Sequence, residues 1–540
     1  MNYKNKKPFN PKFKPFKPFK DRPSERAEKI TISEITMKEH EGMHVIVTGM
    51  IERVAQTSGP TLFYLSDGSA TLTIKGFEGA GVRAYPEIKE GDAVSATIEV
   101  REFEGSLEGE ISIMRKVPEA EAESLKKEIE KMEYQRATIS PPTFLVDNPI
   151  LEKLKDRFTK AAIEIRLAVI RSRPIIVRHH NDCDGYSAGY TLEKAIKPLI
   201  IKQHGGGKAP WEFFTRSPCA APFYEIEDSI KDAAHSLSDA AKFSNKMPLV
   251  LIVDNGSGAE DLIGIKQGKI HGMDFIVVDH HYFEKDVISE EVVVHINPFL
   301  VGEEGSAYSA GMLCSELARF INPETNVEYI PALSGLADRI NNPKVIEAYI
   351  KIAEKQGYTK QLLHDLSAII DFVSTKLRFM EAREYIEVVF GDPLASQKKL
   401  VALLAPHIRK LEERGLAIAR AEATQETLGK TTLQILDIEK TFSRNVYPKP
   451  GKVVGLLHDE LVQSGKENTV SIGLMSDLIT IRATEPSHFS VHDFIAHLQK
   501  THPEAYPDGG GHHLAGAIKF VPSKQAVVLK AFKEFIKNRK

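Results

Sequence analysis

Three short apolar runs in the middle of the chain each end in cation-binding residues, and this coincidence limits the fold more than any other feature. Pro174-Ile175-Ile176-Val177 runs into Arg178-His179-His180-Asn181-Asp182-Cys183-Asp184-Gly185, Pro248 to Val253 runs into Asp254-Asn255-Gly256, and Phe275 to Val278 runs into Asp279-His280-His281. Short β-branched runs bounded by Pro and Gly read as fully covered strands of a sheet with helices on both faces. In open α/β sheets, ligands collect beyond the carboxyl ends of the strands. A lone Asp at a strand end ordinarily caps the next helix or turn. Three acidic ends together instead crowd charges that repel one another without a cation. If the chain stays extended past Val177, then His180, Asp182 and Asp184 share one side of it and converge. Carboxylate oxygens suit hard divalent ions, imidazole widens the choice to Mn²⁺ or Fe²⁺, and paired ions about 3.5–4 Å apart suit phosphoryl chemistry.

Taken in order, His180-x-Asp182-x-Asp184-Gly185, the strand-end Asp254 and Asp279-His280-His281 resemble the DHH phosphoesterase superfamily, whose namesake is the last triplet. Ser334-Gly335-Leu336-Ala337-Asp338-Arg339 matches its fourth motif, and Ile296-Asn297-Pro298 with Ser309-Ala310-Gly311 is similar to the RecJ-like nuclease branch. Far downstream, Gly509-Gly510-Gly511-His512-His513-Leu514-Ala515-Gly516-Ala517 looks like the Gly-Gly-His signature of the DHH-associated C-terminal domain.

The resemblance implies two divalent cations, Mn²⁺ favoured and Mg²⁺ the alternative. His180 and Asp182 would hold one, Asp184, His280 and Asp338 the second, and Asp254 would bridge them. His281 would face the scissile phosphate, with Asp279 orienting its neighbours, and no Ser or Cys nucleophile is needed because a cation lowers the pKa of water. Gly509, Gly510 and Gly511 would let backbone N–H groups approach a phosphate, with His512 and Arg482 as side-chain donors. Arg482 stands in Thr-Ile-Arg where the family often carries Ser-Leu-Arg. The competing readings are packing for His281 and an ordinary tight turn for the glycines. His204, His235, His295, His458 and His492 have no partner at useful spacing and read as surface or core residues; His179 and His513 are unassigned.

With 540 residues the chain exceeds one compact core. Its net charge of -3 says little about nucleic acid, because acidic helices and a metal site mask local basic surface. Cys183, Cys219 and Cys314 form no CxxC pair, which argues against zinc or a disulfide scaffold and for a reducing compartment. With no secretory or membrane-length apolar segment, the expectation is a soluble, cytoplasmic protein without a membrane partner.

Residues 1–30 form a basic arm, expected to be disordered: residues 1–20 hold seven Lys and no acid, interleaved with Phe and Pro. Such an arm suits either nucleic acid or a protein partner. Residues 31–118 alternate apolar positions between turns, with strands expected over Met43–Val54, Thr61–Leu65, Ala70–Phe77, Ala93–Phe103 and Glu108–Val117. Five short strands suit a small barrel similar to OB-fold modules, with Phe63, Tyr64, Lys75, Phe77 and Phe103 as candidate contacts to single-stranded nucleic acid; the competing reading of each aromatic is core packing. A helical linker (119–149) leads to an α/β, doubly wound parallel sheet, the DHH-like catalytic domain (150–375), in which Lys202–Trp211 reads as a loop. A helical connector (376–430), with Leu411–Leu428 helical, joins it to a smaller α/β C-terminal substrate-binding domain (431–540). Strands are expected there over Thr432–Leu436, Val453–Leu457, Thr469–Met475 and Leu478–Arg482.

The resulting expectation is a RecJ-like, metal-dependent exonuclease on single-stranded DNA or RNA, in replication or repair. The alternatives are an oligoribonuclease or cyclic-dinucleotide phosphodiesterase, and a replication-fork scaffold with little catalysis. Every expected ligand position is filled, which argues against a silent scaffold.

Overall fold

The computed structural model describes residues 27–103, 105–219, 221–377, 383–443 and 446–539. The basic arm lies outside them up to residue 26. The chain divides into two compact units, Met1–Met132 and Glu133–Lys540.

In the first unit, β1 (Glu28–Lys29) lies against β2 (His44–Gln56), followed by β3 (Thr61–Ser66), β4 (Thr71–Gly76), β5 (Ala93–Phe103) and β6 (Ser106–Lys116). The order β2-β3-β4-β6-β5, with β2 pairing back to β5, closes a five-stranded barrel. Alternation builds its core: Leu72 and Ile74 point in while Thr71, Thr73 and Lys75 lie between them on the other face. The same rule corrects one expectation. Phe63 is fully buried with Leu65, Val47 and Ile98 and offers no ring to a ligand. Its burial contributes to stability, on the order of 1.5–3 kcal/mol.

The second unit opens with a long helix (Pro149–Ile170) leading into a parallel sheet of β7 (Ile175–His179), β8 (Phe214–Pro218), β9 (Leu249–Val253), β10 (Asp274–Val278) and β11 (Val294–Ile296). Every residue of β7 and β9 is buried, as β-branched runs covered on both faces require. The order β11-β10-β9-β7-β8 changes direction beside β7, which places the binding crevice at the carboxyl ends of β7 and β9. The segment expected as a loop is partly helical: one helix continues to His204, a short one spans Ala209–Glu212, and β8 follows.

Helices Arg383–Val389 and Leu394–Glu422 lead to a second lobe of the same unit. Its mixed sheet comprises β12 (Thr424–Leu428), β13 (Thr431–Asp437), β14 (Thr469–Leu474), β15 (Leu478–Ala483), β16 (Asp508–His512) and β17 (Ala515–Lys519), in the order β12-β13-β14-β15-β17-β16. Two expectations are corrected here. The connecting helix stops at Glu422, and Thr424–Leu428 is the edge strand β12. Val453–Leu457 is not a strand but the middle of helix Pro450–Gln463, burying Val453, Val454, Leu457 and Leu461 on one helical face. No helix among the described residues is long and apolar enough to cross a membrane.

Candidate metal centre and cleft

Strand register assembles the site. His179 pairs with Val253, Val253 with Val278, and Val278 with Ile296, so the next residues, His180, Asp254, Asp279 and Asn297, stand in one row across four strand ends. Backbone bonds hold the row level: Asp254 N–H donates to Val278 O at 3.0 Å and Asp279 N–H to Ile296 O at 2.9 Å. Asp254 has φ +61°, a left-handed conformation rare outside glycine, and Arg339 beside Asp338 has φ +56°.

The strand does not continue extended past His179, which corrects the spacing argument for Asp184. The chain turns, Asp182 caps helix Cys183–His204 by accepting from Gly185 N–H at 3.0 Å, and Asp184 lies in that helix's first turn. Gly185 packs so tightly on the His180 backbone that any Cβ would collide with it. Asp184 is therefore turned away from His180 and Asp182 toward a second set of residues.

Four overlapping donor groups result among the described residues: two join His280 and His281 to His512 or to Asp254 and Asp279, and the other two are the expected ligand sets. His180, Asp182 and Asp254 offer one donor atom each within a 4.8 Å span, as do Asp184, His280 and Asp338. Asp254 faces both, with Oδ2 3.5 Å from His180 Nδ1 and Oδ1 3.3 Å from His280 Nε2. His180 Nδ1 lies 3.0 Å from Asp182 Oδ2, and His280 Nε2 3.5 Å from Asp184 Oδ2. His281 Nδ1 meets Asp279 Oδ1 at 2.8 Å. From the second lobe, His512 Nε2 comes within 3.7 Å of Asp338 Oδ1, and its ring stacks at 4.9 Å on that of His281.

Electrostatics show the strain of this crowding. Burial, then the charges of Asp254 and Asp338, push the Asp184 carboxyl well above its ordinary value. Burial opposes ionisation of Asp182 and Asp279 too, yet His180 and His281 hold them far below the usual carboxylate range. Burial likewise disfavours a charged His280, but Asp338, Asp254 and Asp184 raise it well above an ordinary imidazole. Beyond these ion-pair contacts, Asp254 Oδ2 and both ring nitrogens of His280 are buried without a well-formed hydrogen bond among the described residues. Unsatisfied oxygen and nitrogen donors converging in this way fit divalent cations.

Several residues take supporting roles that the sequence did not assign them, and Ser257 carried no signal at all. Asp184 accepts from Ala310 N–H at 2.8 Å, Gly311 N–H at 2.7 Å and the Ser334 hydroxyl. Ser257 N–H donates to Asp279, while Ser257 Oγ lies 2.9 Å from His295 Nε2 and accepts from Asn297 Nδ2, which also donates to His281 O. His295, expected to be without a partner, is thus part of the scaffold behind His281. Of the other histidines set aside, His458 meets Ser471 Oγ at 2.9 Å, His204 meets Val169 O at 3.1 Å, His492 packs on Tyr282, and His235 pairs with Asp239. Lys449 reaches across from the second lobe and donates to Asn181 O at 2.8 Å.

The ligand groups open on a cleft of about 1260 Å³ lined by both lobes, with Arg482, Lys452, Arg339 and His512 among its walls. The Arg482 guanidinium donates to Ile481 O at 3.0 Å. Gly510 and Gly511 lie on β16, an edge strand whose outer N–H groups no neighbouring strand takes up. Gly511 has φ +122°, and a side chain at Gly510 would meet Glu260.

In the barrel unit, Phe77 and Phe103 are exposed, Tyr64 stacks under Arg53 at 4.0 Å, and Lys75 lies 3.9 Å over the Phe103 ring while paired with Glu108.

No family model matches the chain. It is 36% identical over 527 residues to the uncharacterized protein MJ1198 of Methanocaldococcus jannaschii, across 92% of this chain and 69% of that protein. A solved structure described as a member of the s1p family of ribosomal proteins, PF0399 DHH domain, superposes with a TM-score of 0.74 at 34% identity, covering 78% of this chain and 100% of that one. RecJ from Thermus thermophilus in complex with Mn²⁺ shares the fold at a TM-score of 0.52 and 14% identity, covering 78% of this chain and 59% of RecJ.

Proposed function

The chain belongs to the DHH phosphoesterase superfamily, and from that premise we propose that it is a divalent-metal-dependent exonuclease hydrolysing phosphodiester bonds of single-stranded DNA or RNA, serving replication or repair. The observation carrying this reading is the buried Asp254, whose two oxygens face separate donor groups, one with the half-exposed His180 and Asp182 and one with the buried Asp184 and His280, beneath a two-lobed cleft that His180, Asp182, Asp184 and Asp338 line.

His180 and Asp182 would hold one ion, Asp184, His280 and Asp338 the other, and Asp254 both. Mn²⁺ is the ion we propose, with Mg²⁺ the alternative, since imidazole and carboxylate contribute together. Such ions would supply positive charge to the phosphate and acidify water. The chain's own residues do the rest. Asp279 engages His281 Nδ1, leaving Nε2 to donate to the phosphoryl oxygens as charge develops. Ser257, His295 and Asn297 keep that pair in place. His512, Arg482 and an outward-facing N–H group of the Gly510-Gly511 stretch would grip phosphate from the second lobe.

In the barrel, Tyr64, Phe77, Phe103 and Lys75 would bind single-stranded nucleic acid by stacking and charge. Replacing Phe103 and Lys75 should weaken binding of long strands and flatten its salt dependence, while hydrolysis of a dinucleotide persists. The direct test digests end-labelled single-stranded DNA and RNA in Mn²⁺. Stepwise shortening from an end supports an exonuclease; products confined to substrates of two to five residues favour an oligonucleotide phosphodiesterase; and uncut strands would sink the proposal.

A further inference from the structure

One wall of the cleft is aromatic, and neither the ligand groups nor the phosphate grip uses it. Tyr282 directly follows His281, lines the cleft and is 42% exposed. Phe299 props its ring edge-on, with centroids 5.4 Å apart and planes at 85°, and Phe283 in turn braces Phe299 at 6.1 Å. From the second lobe His492 leans on Tyr282 at 4.8 Å and 49°. His492 is engaged by a backbone hydrogen bond at Gly511, and its Nε2 is buried with no hydrogen-bond partner among the described residues.

A tyrosine present only for packing would be enclosed, as Tyr308 and Tyr349 are in this chain. Tyr282 is instead held upright by its neighbours and left open to the cleft, beside an imidazole nitrogen with an unmet hydrogen bond. A flat ring with a polar edge satisfies both features. The position is suited as well, since Tyr282 lines the same cleft as Asp182, Asp184, Asp338 and His512.

Resting on the phosphodiesterase reading above, we propose that Tyr282, backed by Phe299 and flanked by His492, is a nucleobase-stacking subsite for a nucleotide adjoining the scissile phosphate, with His492 Nε2 meeting the edge of the base. Every base has a π-face, so this subsite tolerates sequence but requires a base. The enzyme should accept all four bases there and discriminate against an abasic residue.

The test uses the full chain and short strands with 2-aminopurine at the terminal or penultimate position, read by fluorescence in EDTA and by hydrolysis in Mn²⁺. Wild type should quench the probe at one of the two positions. Tyr282→Ala should lose most of the quench and raise KM about tenfold while kcat changes less than about threefold. Tyr282→Phe should recover most of both, excluding misfolding as the cause, and an abasic residue at that position should erase the difference between wild type and Tyr282→Ala. Equal quenching by wild type and Tyr282→Ala, or indifference to the abasic residue by an enzyme that binds and cuts the strand, would overturn the subsite alone. A wild type that leaves the anisotropy of labelled strands unchanged in both buffers would overturn the strand reading along with it.

Discussion

The two lobes of the Glu133–Lys540 unit use β-structure for opposite purposes. In the first, functional side chains stand on the ends of covered parallel strands, locked in a row by register and packed from behind by Ser257, His295, Asn297 and Ser334. In the second, the functional segment is β16, an edge strand largely of glycine, joined by Arg482 and His512 reaching into the cleft. One lobe fixes ligand atoms, and the other presents backbone together with the Arg482 guanidinium and the His512 ring. The division implies that damage to the first lobe lowers kcat and damage to the second raises KM.

The largest expected effect is that of Asp254→Asn, which removes the negative charge and replaces with an amide NH₂ one of the two oxygens facing the ligand groups. It should lower kcat by about 10³-fold or more, beyond the 10–100-fold typical of losing a supporting partner. Asn297→Ala and Asp279→Asn, which loosen or mis-set His281, should fall in that lesser range of about 10–100-fold, again in kcat. Arg482→Ala should raise KM about tenfold, the worth of one charge-assisted hydrogen bond, with kcat nearly unchanged. A kcat loss for Arg482→Ala as large as that for Asp254→Asn, measured on a dinucleotide, would erase the contrast between the lobes.

The smallest expected effects are opposite pH slopes of stability. Burial raises the Glu316 carboxyl in the first lobe to about 7, against the hydrogen bond it accepts from Tyr349. The folded lobe keeps a proton that the unfolded chain releases near its ordinary value of 4.5, so this stabilisation is present at low pH and is lost as pH rises toward about 7. Burial lowers His458 in the second lobe to about 4 from 6.5, so the unfolded chain takes up a proton first and stability is lost as pH falls through that window. Thermal melts should show the advantage of wild type over Glu316→Gln shrinking by about 2 kcal/mol from pH 5 to pH 8. The advantage over His458→Gln should instead grow over the same range. Parallel trends in the two variants would refute the assigned signs.

The legibility of the sequence follows the same contrast. Buried parallel strands are short apolar runs, so β7, β9 and β10 and the residues beyond them could be read locally, and register then did the assembling. The turn after His179 could not be read, because an Asp that caps a helix and one that continues a strand look alike until the hydrogen bond to Gly185 is known. Val453-Val454 looked like strand because a short β-branched run has no visible period; only with Leu457 and Leu461 does the helical face emerge. Phe63 and Tyr64 are adjacent and similar, and only the register of β3 against its neighbours decides which faces inward. The scaffold of Ser257 and His295 joins residues 38 apart and had no sequence signal beyond the Ile296-Asn297-Pro298 motif beside it.

Isothermal titration of Mn²⁺ into the wild type and Asp254→Asn proteins tests the centre most directly, with circular dichroism confirming that both are folded. Two ions per wild-type chain, and loss of at least one on substitution, is the predicted result. No uptake by the wild type at saturating Mn²⁺, or the same two ions bound with unchanged affinity by Asp254→Asn, would contradict it.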